Sequence, residues 1–156
     1  GNPSMDDTQS DLADFRHQWE LWQLPHRYAQ ALDRRDRAAL ADLFTRDAVF
    51  ERVNVETRSY DGICGLIEVL AKKYDSTFHA VMNQTFSING LAAEGEVYCI
   101  AHHLYRAHDD QVGLSHDLRI RYQDQYRLCD DERWRFTRRK VFVDSRSVHQ
   151  VVVSAG

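Results

Sequence analysis

The sequence predicts an α+β fold: a cone-shaped α+β barrel with N-terminal helices packed on the concave face of a strongly curved, mixed but mostly antiparallel sheet. Two observations predict it. Residues 7–73 carry mainly three-to-four periodicity, whereas from Thr77 onward the period drops to two. Helices first and long strands afterwards is the segregation typical of α+β domains. A sheet bent round helices also encloses a hollow, and such hollows suit one apolar ligand.

Residues 7–33 read as a helix. Phe15, Trp19, Trp22, His26 and Ala29 recur at spacings of three and four, which paints one helix face. Pro25 removes an amide donor and predicts a kink or a fresh start. Asp33 lies on the same face, an unusual place for a charge. Arg34, Arg35 and Asp36 form a polar break, and Asp36 can cap a second helix over 37–44. Residues 48–53 and 57–60 read as short strands, and 63–73 as a third helix with Ile63, Leu66, Ile67, Leu70 and Ala71 on one side. Strands follow over 77–88, 94–106, 114–128 and 133–143. Asn89-Gly90 signals a tight hairpin turn, and Asp109-Asp110 and Asp130-Asp131 mark the other two connections. The last dozen residues carry no clear pattern and read as a tail, mobile or free to dock a partner.

Composition narrows the function classes. The chain has 156 residues, 43% hydrophobic and 28% charged, which suits one domain with its own core and no disulfide staples. No apolar run approaches the ~20 residues that span a bilayer, so no membrane partner is expected. Residues 1–14 are too polar and acidic for a secretory signal. Cys64, Cys99 and Cys129 are odd in number, far apart and without zinc spacing, so they read as reduced thiols in a cytoplasmic protein. Lys and Arg number 20 against 24 Asp and Glu, a net charge of -4 that disfavours nucleic acid as a partner. The basic run Arg133, Arg135, Arg138, Arg139 and Lys140 reads as a solvated strand face.

Strand parity singles out the residues that could carry chemistry. Along 77–88, Phe78, Ala80, Met82, Phe86 and Ile88 share one face and His79, Val81, Asn83, Thr85 and Ser87 the other. Both faces carry apolar groups, so His79, Val81 and Asn83 occupy what looks like a pocket wall. In the next strand Val97, Cys99, Ala101, His103 and Tyr105 share a face. Small Cys99 and Ala101 leave room for a ligand there, which selects His103 over the oppositely directed His102 for the interior. No metal is expected from His102, His103 and His108, because neighbouring strand residues diverge and no carboxylate stands at a suitable spacing. Tyr28 and Asp33, about 140° apart round an ideal helix, can border one broad pocket. By spacing alone, Tyr28 is a core aromatic, Asp33 a helix-end charge and Arg139 a strand-surface charge.

A resemblance adds to these readings. The stretch LPHRYAQALD, 24–33, with DRAALADLFTRDAVF over 36–50, resembles SnoaL-like proteins of the nuclear-transport-factor-2-like superfamily. So do FHAVMN at 78–83, GEVYC at 95–99, RYQD at 121–124, WRF at 134–136 and Arg139. The likeness covers residues 12–145 and leaves 1–11 and 146–156 as tails. Scytalone dehydratases, bile-acid 7α-dehydratases and lindane dehydrochlorinases are the most similar enzyme branches. The resemblance implies a lyase that works without metal or other cofactor, through an Asp–His pair in the cone. It assigns that pair to Asp33 and His79, with Tyr28 as a third catalytic residue. Asn83, Cys99, His103, Arg139, Val81 and Val97 become candidate substrate contacts.

Chemistry favours the same pair. Removing a proton beside a carbonyl needs a base, which neutral His79 can be, and Asp33 would hold the tautomer and stabilise the imidazolium. Tyr28, Asn83 or His103 could donate to an enolate oxygen or a departing hydroxyl. The expectation is a dehydratase or related lyase acting on a hydrophobic cyclic, steroid-like or polyketide-like molecule. An isomerase or polyketide cyclase in the same pocket, or a non-catalytic binding or scaffold subunit, is the alternative. The scaffold reading requires that Asp33 and His79 lie out of hydrogen-bonding reach or lack a cavity. Long sheets of this kind also need their outer face covered, so a homodimer or homotrimer is expected through Phe78, Tyr98, Ile100 and Leu104.

Overall fold

The computed structural model describes residues 1–106 and 111–154. Its elements run α1 (Met5–Asp33), α2 (Arg37–Asp42), β1 (Phe44–Arg52), β2 (Glu56–Arg58), α3 (Tyr60–Cys64), α4 (Leu66–Lys73), β3 (Ser76–Asn89), β4 (Ala92–Arg106), β5 (Val112–Leu128) and β6 (Trp134–Val152). The strands form one six-stranded sheet in the order β2-β1-β6-β5-β4-β3. Every pairing is antiparallel except that of β1 with β6. Helix α1 lies against β3 and β6, so the helices cover one side of a mixed sheet in the expected cone-shaped arrangement. Among the described residues, no helix is long and apolar enough to cross a membrane. The expected turn at Asp109-Asp110 and the side chain of His108 lie outside the described residues.

Local chemistry sets the helix ends. Ser4 caps α1 by accepting from the Asp7 amide at 3.2 Å, and the Asp7 side chain accepts in return from the Ser4 amide. The helix therefore starts at Met5, inside the stretch read as a tail. It continues through Pro25, whose missing amide leaves the Leu21 carbonyl without its usual donor. Asp36 caps α2 through the Ala39 amide at 3.0 Å, as its position suggests. The third expected helix is two short ones that meet at Gly65.

The aromatic stripe of α1 is not the core face. Phe15, Trp19 and Trp22 are 63%, 51% and 41% exposed. Leu21, Leu24, Tyr28, Ala31 and Leu32 are buried in their place. Both sets repeat with the helical period, so periodicity identifies stripes without saying which one meets the sheet. Trp19 stacks on Trp22 at 5.2 Å, and Trp22 lies 4.1 Å from His26, which covers part of each ring.

Bulges break the simple alternation of the strands. In β3, Val81 pairs with Cys99 but Gln84 pairs with Val97, so Met82 and Asn83 together oppose Tyr98. Inward pointing passes from Thr77, His79 and Val81 to Gln84 and Phe86, which is why both faces of this strand carry apolar groups. A second bulge, at Thr137 of β6, moves the inward set from Trp134 and Phe136 to Arg139 and Val141. Strand β6 also continues past residue 143, pairing with β5 as far as Val152 opposite Val112, so residues 144–152 are strand rather than tail. Between β3 and β4 the turn has positive φ at Gly90, the first of its two central residues, where a side chain would be strained.

Side chains from all layers meet in one core that contains Leu24, Leu40, Ile63, Val97, Trp134 and Phe136. Trp134 ties α1 to β6: its indole donates to His17 Nδ1 at 2.9 Å and its amide to Glu20 Oε1 at 2.8 Å. The two kinds of aromatic should respond differently to truncation. Phe136→Ala is expected to lose about 3–5 kcal/mol, whereas Trp19→Ala should change stability by less than about 1 kcal/mol, both read by chemical denaturation.

Candidate active site

The C-terminus of α1 delivers Asp33 to the start of β3. Its carboxylate accepts three hydrogen bonds there: from Thr77 Oγ1 at 2.9 Å, from the His79 amide at 2.9 Å and from His79 Nδ1 at 2.7 Å. Burial alone would raise the Asp33 carboxyl. The hydrogen bonds from the His79 ring and amide, His79's charge and the Thr77 hydroxyl outweigh it and hold the carboxyl below the usual Asp value. An ionised partner at Nδ1 fixes the proton on that nitrogen, so neutral His79 keeps a lone pair on Nε2.

Arg35 supports this arrangement and was not apparent from the sequence. It sits at positive φ just after the helix and donates to Thr77 Oγ1 at 2.9 Å and to the Leu32 carbonyl at 2.6 Å. With its oxygen engaged by Arg35, Thr77 turns its own proton to Asp33. The only signal in the sequence is the polar Arg34-Arg35-Asp36 break.

His79 lines a cavity of about 390 Å³ whose wall also includes Tyr28, Leu32, His103, Ile120 and Tyr122. A larger groove of about 720 Å³ runs along the strands past Glu94, Gln123 and Lys140. It lacks a His–Asp pair, so the smaller cavity is the place for acid–base chemistry. Tyr28 is buried, and burial raises its phenol far above the ordinary value, keeping it a proton donor at neutral pH. His103 faces the same space, 5.9 Å from His79 ring to ring. Burial, assisted by the nearby His79 and His116 rings, lowers His103 to about 4. Its Nδ1 stands 3.0 Å from the His116 carbonyl and must donate to it. Nε2 is left as an acceptor, so neutral His103 cannot donate to a substrate oxygen as the sequence suggested. His116, Tyr74 and Tyr122 also line the cavity and escaped the sequence reading.

Five expected contacts lie elsewhere. Asn83 is exposed because the β3 bulge turns it outward. Val81 packs against the core, and Val97 and Cys99 are buried within it. Burial pushes the Cys99 thiol up to about 11, which leaves it protonated. Arg139 is fully buried. Its Nε stands 3.0 Å from Asp124 Oδ1, and its guanidinium lies 3.5 Å from the Tyr122 ring centre and 4.2 Å from that of Tyr28. It is therefore neither a surface charge nor a wall of the cavity but a support behind two of its aromatic walls. Burial pushes the Asp124 carboxyl up to about 6 against the pull of Arg139, so the pair remains ionic at neutral pH. His102 points the other way, to Asp117 Oδ1 at 2.8 Å. Among the described residues, no group of three or more His, Cys, Asp or Glu side chains is arranged to hold a metal.

The buried pair yields a stability test. Arg139→Met leaves Asp124 uncompensated and should cost about 3–5 kcal/mol, and replacing Asp124 by Leu as well should recover much of that loss. Chemical denaturation of the single and double variants reads the difference.

Known structures share this architecture. A candidate scytalone dehydratase from Novosphingobium aromaticivorans superposes with TM-score 0.76 at 20% identity, covering 92% of this chain and 93% of that one. A hexachlorocyclohexane dehydrochlorinase from Novosphingobium barchaimii gives TM-score 0.78 at 15% identity, with 89% and 94% covered. An NTF2-like protein with a cystatin-like fold from Novosphingobium aromaticivorans gives 0.78 at 20% identity, with 93% of each chain covered. At these identities the likeness is one of fold. No curated protein matches the sequence significantly. The sequence model of the SnoaL-like domain matches residues 14–140, most of the chain, and this protein belongs to the SnoaL-like family.

Proposed function

We propose that the protein is a lyase, a dehydratase or related elimination enzyme, acting on a hydrophobic cyclic molecule, steroid-like or polyketide-like, with Asp33 and His79 as its acid–base pair. The observation that carries this reading is the 2.7 Å contact between His79 Nδ1 and Asp33 Oδ1 beside a largely apolar cavity. His79 Nε2 takes a proton from the carbon next to a substrate carbonyl, and the Asp33 carboxylate stabilises the imidazolium that forms. The electron pair of the broken C–H bond becomes the new C=C bond as the C–O bond to the neighbouring hydroxyl breaks. The imidazolium returns its proton to that leaving oxygen, so water departs and His79 is neutral again. Tyr28, protonated and facing the cavity, can donate to the carbonyl oxygen as negative charge develops there.

Loss of the base should lower kcat by about 10²–10⁴-fold in His79→Ala, with a loss of about 10²-fold or more in Asp33→Asn. Turnover of a panel of steroid, bile-acid and phenolic substrates, with product analysis separating elimination from isomerisation and cyclisation, makes the measurement. Unchanged turnover in His79→Ala would reject the mechanism.

We also propose self-association, as a homodimer or homotrimer, through the sheet face away from α1. Phe78 and Tyr98 are 66% and 39% exposed there, and Ile100 and Leu104 are half-buried beside them. Light scattering at micromolar concentration should give a mass above that of one chain, and Phe78→Asp should shift it toward the monomer.

A further inference from the structure

Three cations crown the mouth of the cavity, and proton transfer does not account for them. Arg52 ends β1, Lys73 ends α4 and Arg146 lies on the late part of β6. All three line the same cavity as His79. Elements far apart in sequence thus bring like charges to one opening, which is repulsive unless an anion occupies it. Among the described residues, none of the three has a carboxylate within ion-pair distance. Among the described residues that line the cavity, the one carboxylate is Glu56, and it is held by Arg58 at 2.8 Å.

His116 shows where the charges converge. Its ring, on β5, lines the same cavity as all three, and it is pushed below the ordinary histidine value by burial and then by Arg146, Lys73 and Arg52, against the pull of Asp117. From His79 the cavity wall runs to His103 and on to His116 in ring-to-ring steps of 5.9 and 6.1 Å. Apolar side chains, among them Leu66, Leu118 and Val141, line the space alongside. One end of the cavity is therefore basic and proton-accepting, the middle is apolar, and the far end is cationic.

We infer that the substrate is amphipathic, a fused-ring skeleton with its reacting carbon at His79 and an anionic group, such as a carboxylate, at the opposite end among Arg52, Lys73 and Arg146. Only the placement of the reacting carbon rests on the lyase reading. The anion site stands on the three cations. Arg52 and Arg146 present planar guanidinium groups matched to a carboxylate, and Lys73 adds a point charge. The mouth is open to solvent, so screening weakens each contact and the three together select for charge more than any one of them does.

Anthracene-2-carboxylate and its neutral twin, anthracene-2-carboxamide, test this by calorimetric titration. The carboxylate should bind the native protein about ten-fold more tightly in low salt, and the gap should narrow as salt approaches about 300 mM. In R52Q/K73Q/R146Q the carboxylate should lose about ten-fold in affinity while the carboxamide stays within about two-fold. Equal affinity of the twins for the native protein, at low salt, would overturn the anion site and leave the Asp33–His79 mechanism untouched. Binding of neither twin would overturn it together with the ligand cavity. A carboxylate preference in a protein whose His79→Ala variant keeps full turnover would retain the anion site and reject the lyase mechanism.

Discussion

The fold and the candidate site both hang on one carboxylate at the wrong end of a helix. Asp33 is the last residue of α1, where the helix dipole is negative and an anion is unfavourable by about 0.3–1 kcal/mol. It is held there by three hydrogen bonds from β3, a strand more than forty residues later in the chain. Each donor is charge-assisted by the ionised acceptor, and such bonds are stronger than neutral ones. The same contacts that close the helix onto the sheet set the tautomer of His79. Packing and chemistry share one joint.

Much of this was legible in the residues. The order of helices and strands follows from the change of period at Thr77. Asp33 stood out as a charge on the same helix face as the aromatic stripe. His103 was separable from His102 because the strand between β3 and β5 keeps its alternation. The rest was hidden for physical reasons. Two helical stripes of equal period compete on α1, and the larger aromatics are the exposed ones, paired with one another instead of with the sheet. Bulges shift parity without leaving a compositional mark, so Asn83 and Arg139 ended on the opposite side from the one expected. His116 and Arg52 reach the cavity, and Arg35 reaches Thr77 beside Asp33, from elements whose relative placement no local pattern encodes.

The interior of the cone is more polar than its composition suggests. Arg139 and Asp124 are fully buried, and part of the guanidinium meets aromatic rings where other charges would meet water. Tyr28 and Tyr122 are walls of the cavity on one side and partners of this cation on the other. A rigid ionic floor keeps those rings from rotating into the empty space. A hollow in a chain of this size needs some such support, because side chains otherwise relax inward to fill it.

The bulge at Met82 and Asn83 divides β3 into two segments that are out of phase. Upstream, Thr77 and His79 answer to Asp33. Downstream, Gln84 reaches the Trp22 carbonyl at 3.2 Å and His26 at 3.1 Å, and serves the middle of α1. A continuous strand would bind these two duties to one alternation, so that any slip made to improve packing on the helix would also rotate the histidine out of the cavity. The extra residue uncouples them. The helix-facing half of β3 can drift in sequence, or change its spacing to the helix, with the proton-transfer half held in place, and the fold thereby keeps its chemistry insulated from its own variation.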